Sequence, residues 1–584
     1  MMIRIIFVIS GLLISGCAST PGKQSDEFVR DDHELEAMPD VADNFEKLDL
    51  KASSFEPEVL YLLLTAELAG QKGLYKVALE GYLRAAERVN DPRIAERATK
   101  VALFLKDYTQ AQKAIAIWLK NDTDDLMARK VAVMLALKNN EKDVAIEHLN
   151  VLLSSDPAGF EIALLEIVKS MEREGGVEIV YDVLESLSVM HPEQASMFFV
   201  QSLLSVQQDK SELALEKIQK ALALQPDWNK ALLLQAQIVS NLGDTDRAEN
   251  ILREAIKKRP DNAKFKVILA RVLVRAGKFE QAVEVFEQVI EQSPEDLENQ
   301  YALALIYLQM HEDDEAREVF LGLLNRPGWS DRVSFHLGRL DAAEGEYGRA
   351  RVWFDKITHG PYLFDAKMAT AGIMLDQKQY QEAEQYLSQI DFHSQSEELR
   401  LVLIKAELMG KQKRNKEAYD LLTATLQQMP NQKDLLYTRA LIAESMGRLD
   451  VLENDLQTIL NKDPDNASAL NALGYTLVER DERLDEAEGY LDRAIALEPD
   501  DPVIIDSYGW LLFRQGQLKK SVEYLQKAYD QEQEAEIAGH LVEVLWGLER
   551  KDEARDVYRE ALQKFNDDEY LLRLKQQIEG LSED

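Results

Sequence analysis

Small and large apolar residues return along this chain at a fixed interval. Ala214, Ala248, Ala282, Ala316 and Ala350 follow one another in four successive steps of 34 residues. Four positions after each alanine stands a larger apolar residue: Ile218, Leu252, Phe286, Phe320 and Phe354. Pro226, Pro260 and Pro294 keep the same interval. The alanine ladder extends in steps of 33 to 35 to Ala78, Ala111 and Ala145 upstream and to Ala383, Ala418, Ala487 and Ala554 downstream, with Leu452 and Ser521 in two further places. Three residue classes sharing one period describe a repeated unit, and the helical i, i+4 spacing puts alanine and its large partner on one face. Each unit reads as two antiparallel helices. Alanine marks where the second helix crosses the first closely, the large residue fills the gap to the next unit, and proline ends the second helix. One pair alone cannot bury its apolar face, whereas stacked pairs bury a continuous core. With one weak unit at 160–194, the pattern predicts an all-α solenoid, a right-handed superhelix of about 15 helix pairs. The array spans 57–568, and 569–584 forms a capping helix and tail, with Tyr570, Leu571, Leu574 and Ile578 on the apolar face.

The beginning of the chain follows another pattern. Met1 to Gly16 carries one positive residue, Arg4, then an apolar run from Ile5 to Ile14 broken at Ser10 and Gly11, then small residues. This is the layout of a secretory signal, and the run is too short for a membrane span of ~20 residues. It closes on Ile14-Ser15-Gly16-Cys17, which resembles the lipobox of bacterial lipoproteins, with isoleucine in place of the usual leucine. The resemblance implies cleavage before Cys17 and lipidation of its thiol. Cys17 is the single cysteine of the chain, so no internal disulfide is available. A stable lipid anchor needs at least two membrane signals, which the three chains implied by the resemblance would exceed. Ala18 rather than aspartate after the cysteine implies the outer membrane, facing the periplasm. Residues 17–56 read as the lipidated cysteine and an acidic flexible tether with little periodicity. About 39 residues would reach roughly 35 Å as a coil and ~130 Å fully extended. A short helix from Val41 to Leu50 and contact with the array are alternatives.

Composition adds a sign. The net charge is -36, which disfavours nucleic acid and anionic lipid as partners and would attract basic proteins. Membrane attachment is therefore expected through the lipid anchor only. Leu, Ala, Glu and Gln dominate, in keeping with helix.

The repeated positions resemble the tetratricopeptide repeat, most fully at Leu473-Gly474 with Ala487, Ala494 and Pro499, and at Leu337-Gly338 with Ala350 and Phe354. Asp91-Pro92-Arg93-Ile94-Ala95-Glu96-Arg97-Ala98, and Asn471-Ala472-Leu473-Gly474-Tyr475 followed by Asp500-Asp501-Pro502 and Asp506-Ser507-Tyr508-Gly509-Trp510, resemble the large tetratricopeptide-repeat outer-membrane lipoproteins of gammaproteobacteria. Members of that family act as adaptors of a periplasmic carboxyl-terminal processing protease and deliver peptidoglycan hydrolases to it. The resemblance implies a non-catalytic adaptor with those partners. A scaffold for an outer-membrane secretion, pilus or exopolysaccharide export machine is the alternative from the same array.

Enzymatic motifs are missing in a checkable way. No two glycines lie two or four positions apart, no Gly-Lys precedes Ser or Thr, and no two histidines lie four apart. These facts exclude G-x-G-x-x-G, G-x-S-x-G, the P-loop and H-E-x-x-H. No catalytic residue, metal ligand or cofactor is predicted. His311-Glu312-Asp313-Asp314-Glu315 could suggest a metal site, and Lys411, Lys413, Arg414 and Lys416 a docking patch, but both fall where a repeat's turn is expected. Arrays of this family bind along the groove formed by the first helices. The resemblance places Asn471, Tyr475, Asp506, Trp510 and Phe513 at or beside that face. Trp510 and Phe513 would either anchor a bound chain or pack between neighbouring helices. The family's carboxylate clamp is not matched, because Tyr475 stands where it needs asparagine.

Overall fold

The computed structural model describes residues 56–172 and 175–581. The leader at 1–16, Cys17, the tether to residue 55 with its candidate helix Val41–Leu50, and residues 582–584 lie outside them. The described residues form 31 α-helices and no strand: fifteen successive pairs, then the single helix Glu569–Gln577.

The turn inside each pair is built one way throughout. Each turn has a residue in a left-handed backbone conformation, glycine in some, such as Gly277 at φ 71°, and a polar residue in others, such as Lys106 at φ 55° and His311 at φ 60°; the turn before Leu484–Leu497 has a second, Arg483, after Asp481. The next residue's N–H then reaches back five positions. Lys278 donates to the Leu273 carbonyl and Glu312 to that of Tyr307, both at 2.9 Å. This closes the last carbonyls of the first helix and reverses the chain within three residues. His311 and Lys413 are thus backbone turn formers. Around Lys413 the basic side chains meet carboxylates: Lys413 pairs with Glu569 at 2.6 Å, and Arg414 with Glu384 at 2.8 Å and Glu417 at 2.7 Å.

Within a pair, the ladder residues do what their sizes dictate. Ala214, Ala248, Ala282 and Ala316 are fully buried, as are Ile218, Leu252 and Phe320. The first helix offers a small residue opposite the large one: a Cβ on Gly474 would lie 2.6 Å from Leu491 Cγ, inside contact distance. Where serine replaces alanine at 521, its hydroxyl donates to the Gly509 carbonyl at 2.7 Å, so its burial leaves no orphaned donor. The weak unit is the pair Phe160–Glu172 and Val177–Met190, with Val180 buried in alanine's place.

The described chain divides into two compact units at Val319/Phe320, inside the helix Asp313–Leu323. In the first, the apolar clusters overlap in sequence from Val59 to Ile306. In the second, they run from Phe335 to Leu581. Glu569–Gln577 covers the end of the second core with Leu571 and Leu574 and stops before Ile578, which was expected on its apolar face.

Candidate functional site

The predicted groove residues come together on first helices of the second unit. Asp501 fixes the central one, Pro502–Arg514: its carboxylate accepts from the N–H groups of Val503 at 2.8 Å and Ile504 at 3.0 Å, with proline at the first helical position. Asp91 does the same for Pro92–Phe104, accepting from Arg93 N–H at 3.0 Å. The Asp-Pro motifs therefore begin helices. On Ala467–Glu479, residues Asn471, Tyr475 and Glu479 share one face at intervals of four, as do Asp506 and Trp510 on the next first helix, and Glu536 and His540 on Ala535–Gly547.

Aromatic rings line the meeting of these helices. Trp510 stacks on His540, centroids 4.1 Å apart, and on Phe513 at 4.8 Å; Tyr475 lies 6.1 Å and Tyr570 5.8 Å from the His540 ring. Each ring bearing a polar hydrogen engages a different carboxylate. Trp510 Nε1–H donates to Glu479 at 2.6 Å and the Tyr570 hydroxyl to Glu543 at 2.7 Å. The Tyr475 hydroxyl donates to Glu536, and His540 Nδ1 lies 3.0 Å from both Asp506 oxygens. At the edge, Thr476 donates to Glu444 at 3.0 Å.

Asn471, Tyr475, Asp506 and Trp510 are all buried, and Phe513 is half-buried. The rings form the floor of the site, and carboxylates form its polar edge. Five carboxylates thus converge, and among the described residues no lysine or arginine pairs with Glu444, Glu479 or Glu543. Burial, reinforced by Glu536 and Glu479, pushes the Glu444 carboxyl up to about 7. Burial favours neutral His540, but Asp506, through its charge and hydrogen bond, outweighs it together with Glu536 and Glu479, and the imidazole is raised above its ordinary value. Burial and the neighbouring carboxylates also raise the Tyr475 hydroxyl well above its usual range. This chemistry suits donors of positive charge. The buried His540 ring, covered by Trp510, is a charge partner for Asp506 and is not presented to solvent.

Glu444, Glu479, Glu536, His540 and Glu543 were missed by the sequence reading, and Tyr570 was placed only on the apolar face of the capping helix. The ladder marks buried consensus places, and these residues stand elsewhere. The one available signal was the interval of 34 between Asp506 and His540.

A tetratricopeptide-repeat family model matches residues 199–263, 233–296, 437–502 and 509–569, and a second model of the same description matches 273–328. Over 534 residues the chain is 35% identical to the TPR repeat-containing protein PA4667 of Pseudomonas aeruginosa, covering 91% of this chain and 89% of that one. Similar solved structures include a tetratricopeptide repeat protein from Parabacteroides merdae, at 16% identity and a TM-score of 0.31 over 43% of this chain and 98% of that one. Another is the APC/C hetero-tetramer Cut9–Hcn1, at 15% identity and a TM-score of 0.33 over 83% of this chain and 96% of that one.

Proposed function

Because the chain belongs to the tetratricopeptide-repeat protein family, we propose that it is a non-catalytic adaptor that holds basic proteins through the carboxylate-edged face of its C-terminal first helices. In this reading it is a lipoprotein anchored at Cys17 to the outer membrane and facing the periplasm. Its array presents cell-wall hydrolases or other substrates to a carboxyl-terminal processing protease. The observation that carries the reading is the convergence of Glu444, Glu479, Asp506, Glu536 and Glu543 on one aromatic floor, in a chain of net charge -36. Such a face accelerates encounter with positively charged partners and selects against acidic ones.

Affinity purification of the mature chain from envelope extract tests it. A serine protease of the carboxyl-terminal processing class and basic hydrolases should be recovered together, with hydrolase recovery falling steeply between low and physiological salt. Recovery of secretin, pilus or polysaccharide-export components instead would replace the reading with the scaffold alternative. Hydrolase binding that ignored salt would contradict electrostatic recruitment.

A further inference from the structure

Two places on the first helices carry apolar side chains that the array buries. They lie five and twelve residues before the left-handed residue of the turn: Val101 and Ile94 before Lys106, and Val272 and Phe265 before Gly277, all buried. On Pro57–Gln71 the same places, counted back from Gly73, are Leu68 and Tyr61, and they are 57% and 69% exposed. Leu64, between them on the same face, is 55% exposed. The side chains are as apolar as those of the covered helices, so the difference lies in the neighbour. Helix Pro92–Phe104 follows a pair that packs on it, and Leu79, Tyr82 and Ala86 of that pair share one apolar cluster with Ile94 and Val101. Helix Pro57–Gln71 is the first of the described residues. The opposite end of the array is closed by Glu569–Gln577. Stacked repeats need a cover at each end, and a stripe of three large exposed apolar side chains marks a contact surface.

We propose that residues 41–52 of this chain fold onto the stripe as an amphipathic helix and close the N-terminal end of the array. Two features of the sequence select this occupant. Val41, Phe45, Leu48 and Ala52 recur at helical intervals on one face, with Asp43, Glu46 and Asp49 off it. The same four residues stand 34 positions before Tyr75, Leu79, Tyr82 and Ala86, which on helix Tyr75–Ala86 pack in the cluster shared with the following first helix. The segment thus has the register of a second helix whose unit has no first. Asn44 fits that register, because it takes the place of Ala78, where alanine permits close crossing of the first helix of the same pair, and a half unit makes no such crossing. Residues 53–56 form a link as short as 87–91, which joins Tyr75–Ala86 to Pro92–Phe104. A link this short costs little closure entropy and holds the segment at an effective concentration on the order of millimolar, which favours it over a second copy or a foreign helix. In the lipoprotein reading, the closure confines the tether to 18–40, with a reach of roughly 26 Å as a coil. It does not depend on what the C-terminal face binds.

Hydrogen exchange read by mass spectrometry on the purified mature chain, carrying Cys17→Ser to remove any lipid, tests the closure. Amides of residues 45–52 should exchange about tenfold or more below their intrinsic rates. Leu64→Asp and Phe45→Asp should each abolish that protection, while the helices from Pro92 onward keep theirs. Leu64 is exposed, so its replacement leaves the packed core of the array intact. A second readout locates the segment: in the same Cys17→Ser chain, Phe45→Cys with Leu64→Cys should join within one chain through a short thiol crosslinker. Leu50→Cys with Leu64→Cys, where residue 50 lies off the apolar face, should join several-fold less. Exchange of residues 45–52 at intrinsic rates would overturn the proposal and leave the stripe to another protein. Crosslinks between two chains, or protection that grows with protein concentration, would overturn it in favour of a second copy.

Discussion

The helices from Ser211 to Gln292 and those from Lys433 to Gln577 obey the same repeat and place their charges differently. In the earlier run, acidic residues meet lysines across neighbouring helices. Lys258 pairs with Asp227 at 3.1 Å, and Lys278 with Asp246 and Glu249 at 2.9 Å. In the later run such pairs persist at the surface, as Lys527 with Asp500 at 3.3 Å and Arg514 with Asp481 at 3.4 Å, but on the aromatic face carboxylates accept from tryptophan, tyrosine, threonine and histidine, and Glu444, Glu479 and Glu543 have no described cationic partner. Carboxylates matched by lysines decorate a scaffold, whereas Glu444, Glu479 and Glu543, with no described lysine or arginine on them, retain a field for an outside charge. The difference separates the structural repeat from a face built on top of it.

Substitutions can break that separation. Phe286→Ala, in the earlier run, should cost about 3–5 kcal/mol in chemical denaturation and leave recovery of basic partners from envelope extract unchanged, because Phe286 is a core filler. Asp506→Asn, in the later run, should cost about 3 kcal/mol by stranding the His540 charge, and should lower the recovery of basic partners as well.

pH should divide the two runs without mutation. A histidine raised on folding contributes stability fully present below its unfolded value of about 6.5 and lost as pH rises through the folded value. The Glu444 carboxyl, lifted on folding to about 7, binds its proton more tightly in the native state, so stability also falls as pH rises from the ordinary glutamate range to 7. Glu249 is held low by hydrogen bonding to Lys278, and its contribution is lost only as pH falls. Hydrogen exchange corrected for intrinsic rates should therefore show protection in the later run dropping on the order of tenfold from pH 5 to 8, with the earlier run flat. Equal slopes in the two runs would refute the contrast.

Two smaller effects probe the scaffold. Gly277→Ala should destabilise by about 1 kcal/mol from backbone strain alone, since φ is 71° and nothing crowds the new Cβ. Lys258→Ala should change stability by less than about 1 kcal/mol, because its pair with Asp227 is exposed.

Periodicity made the architecture legible because burial repeats. Ala248 and Leu252 must fit the same crossing that Ala282 and Phe286 fit, so the sequence carries the spacing openly. The turns were less visible. Lys106, His311 and Lys413 take a left-handed place that glycine holds elsewhere, and a lysine announces no such backbone. Asn471, Tyr475, Asp506, Trp510 and Phe513 could be placed on one face through a family resemblance. Their burial and their partners could not, because Glu479, His540 and Tyr570 reach the site from different repeats and off the ladder. A floor assembled across stacked units has no local spacing to read.

The central claim, that this later face holds a basic partner, is tested most directly by photo-crosslinking in intact envelopes. A photoreactive phenylalanine analogue at half-buried Phe513, beside the ring stack, is compared with one at Val352, which is 59% exposed on the helix Tyr347–Asp355. The account predicts a crosslink at 513 to a protein of basic charge, weakened when Glu479→Gln is added, and none to that protein at 352. Crosslinks to the same partner from 352 and not from 513 would contradict it.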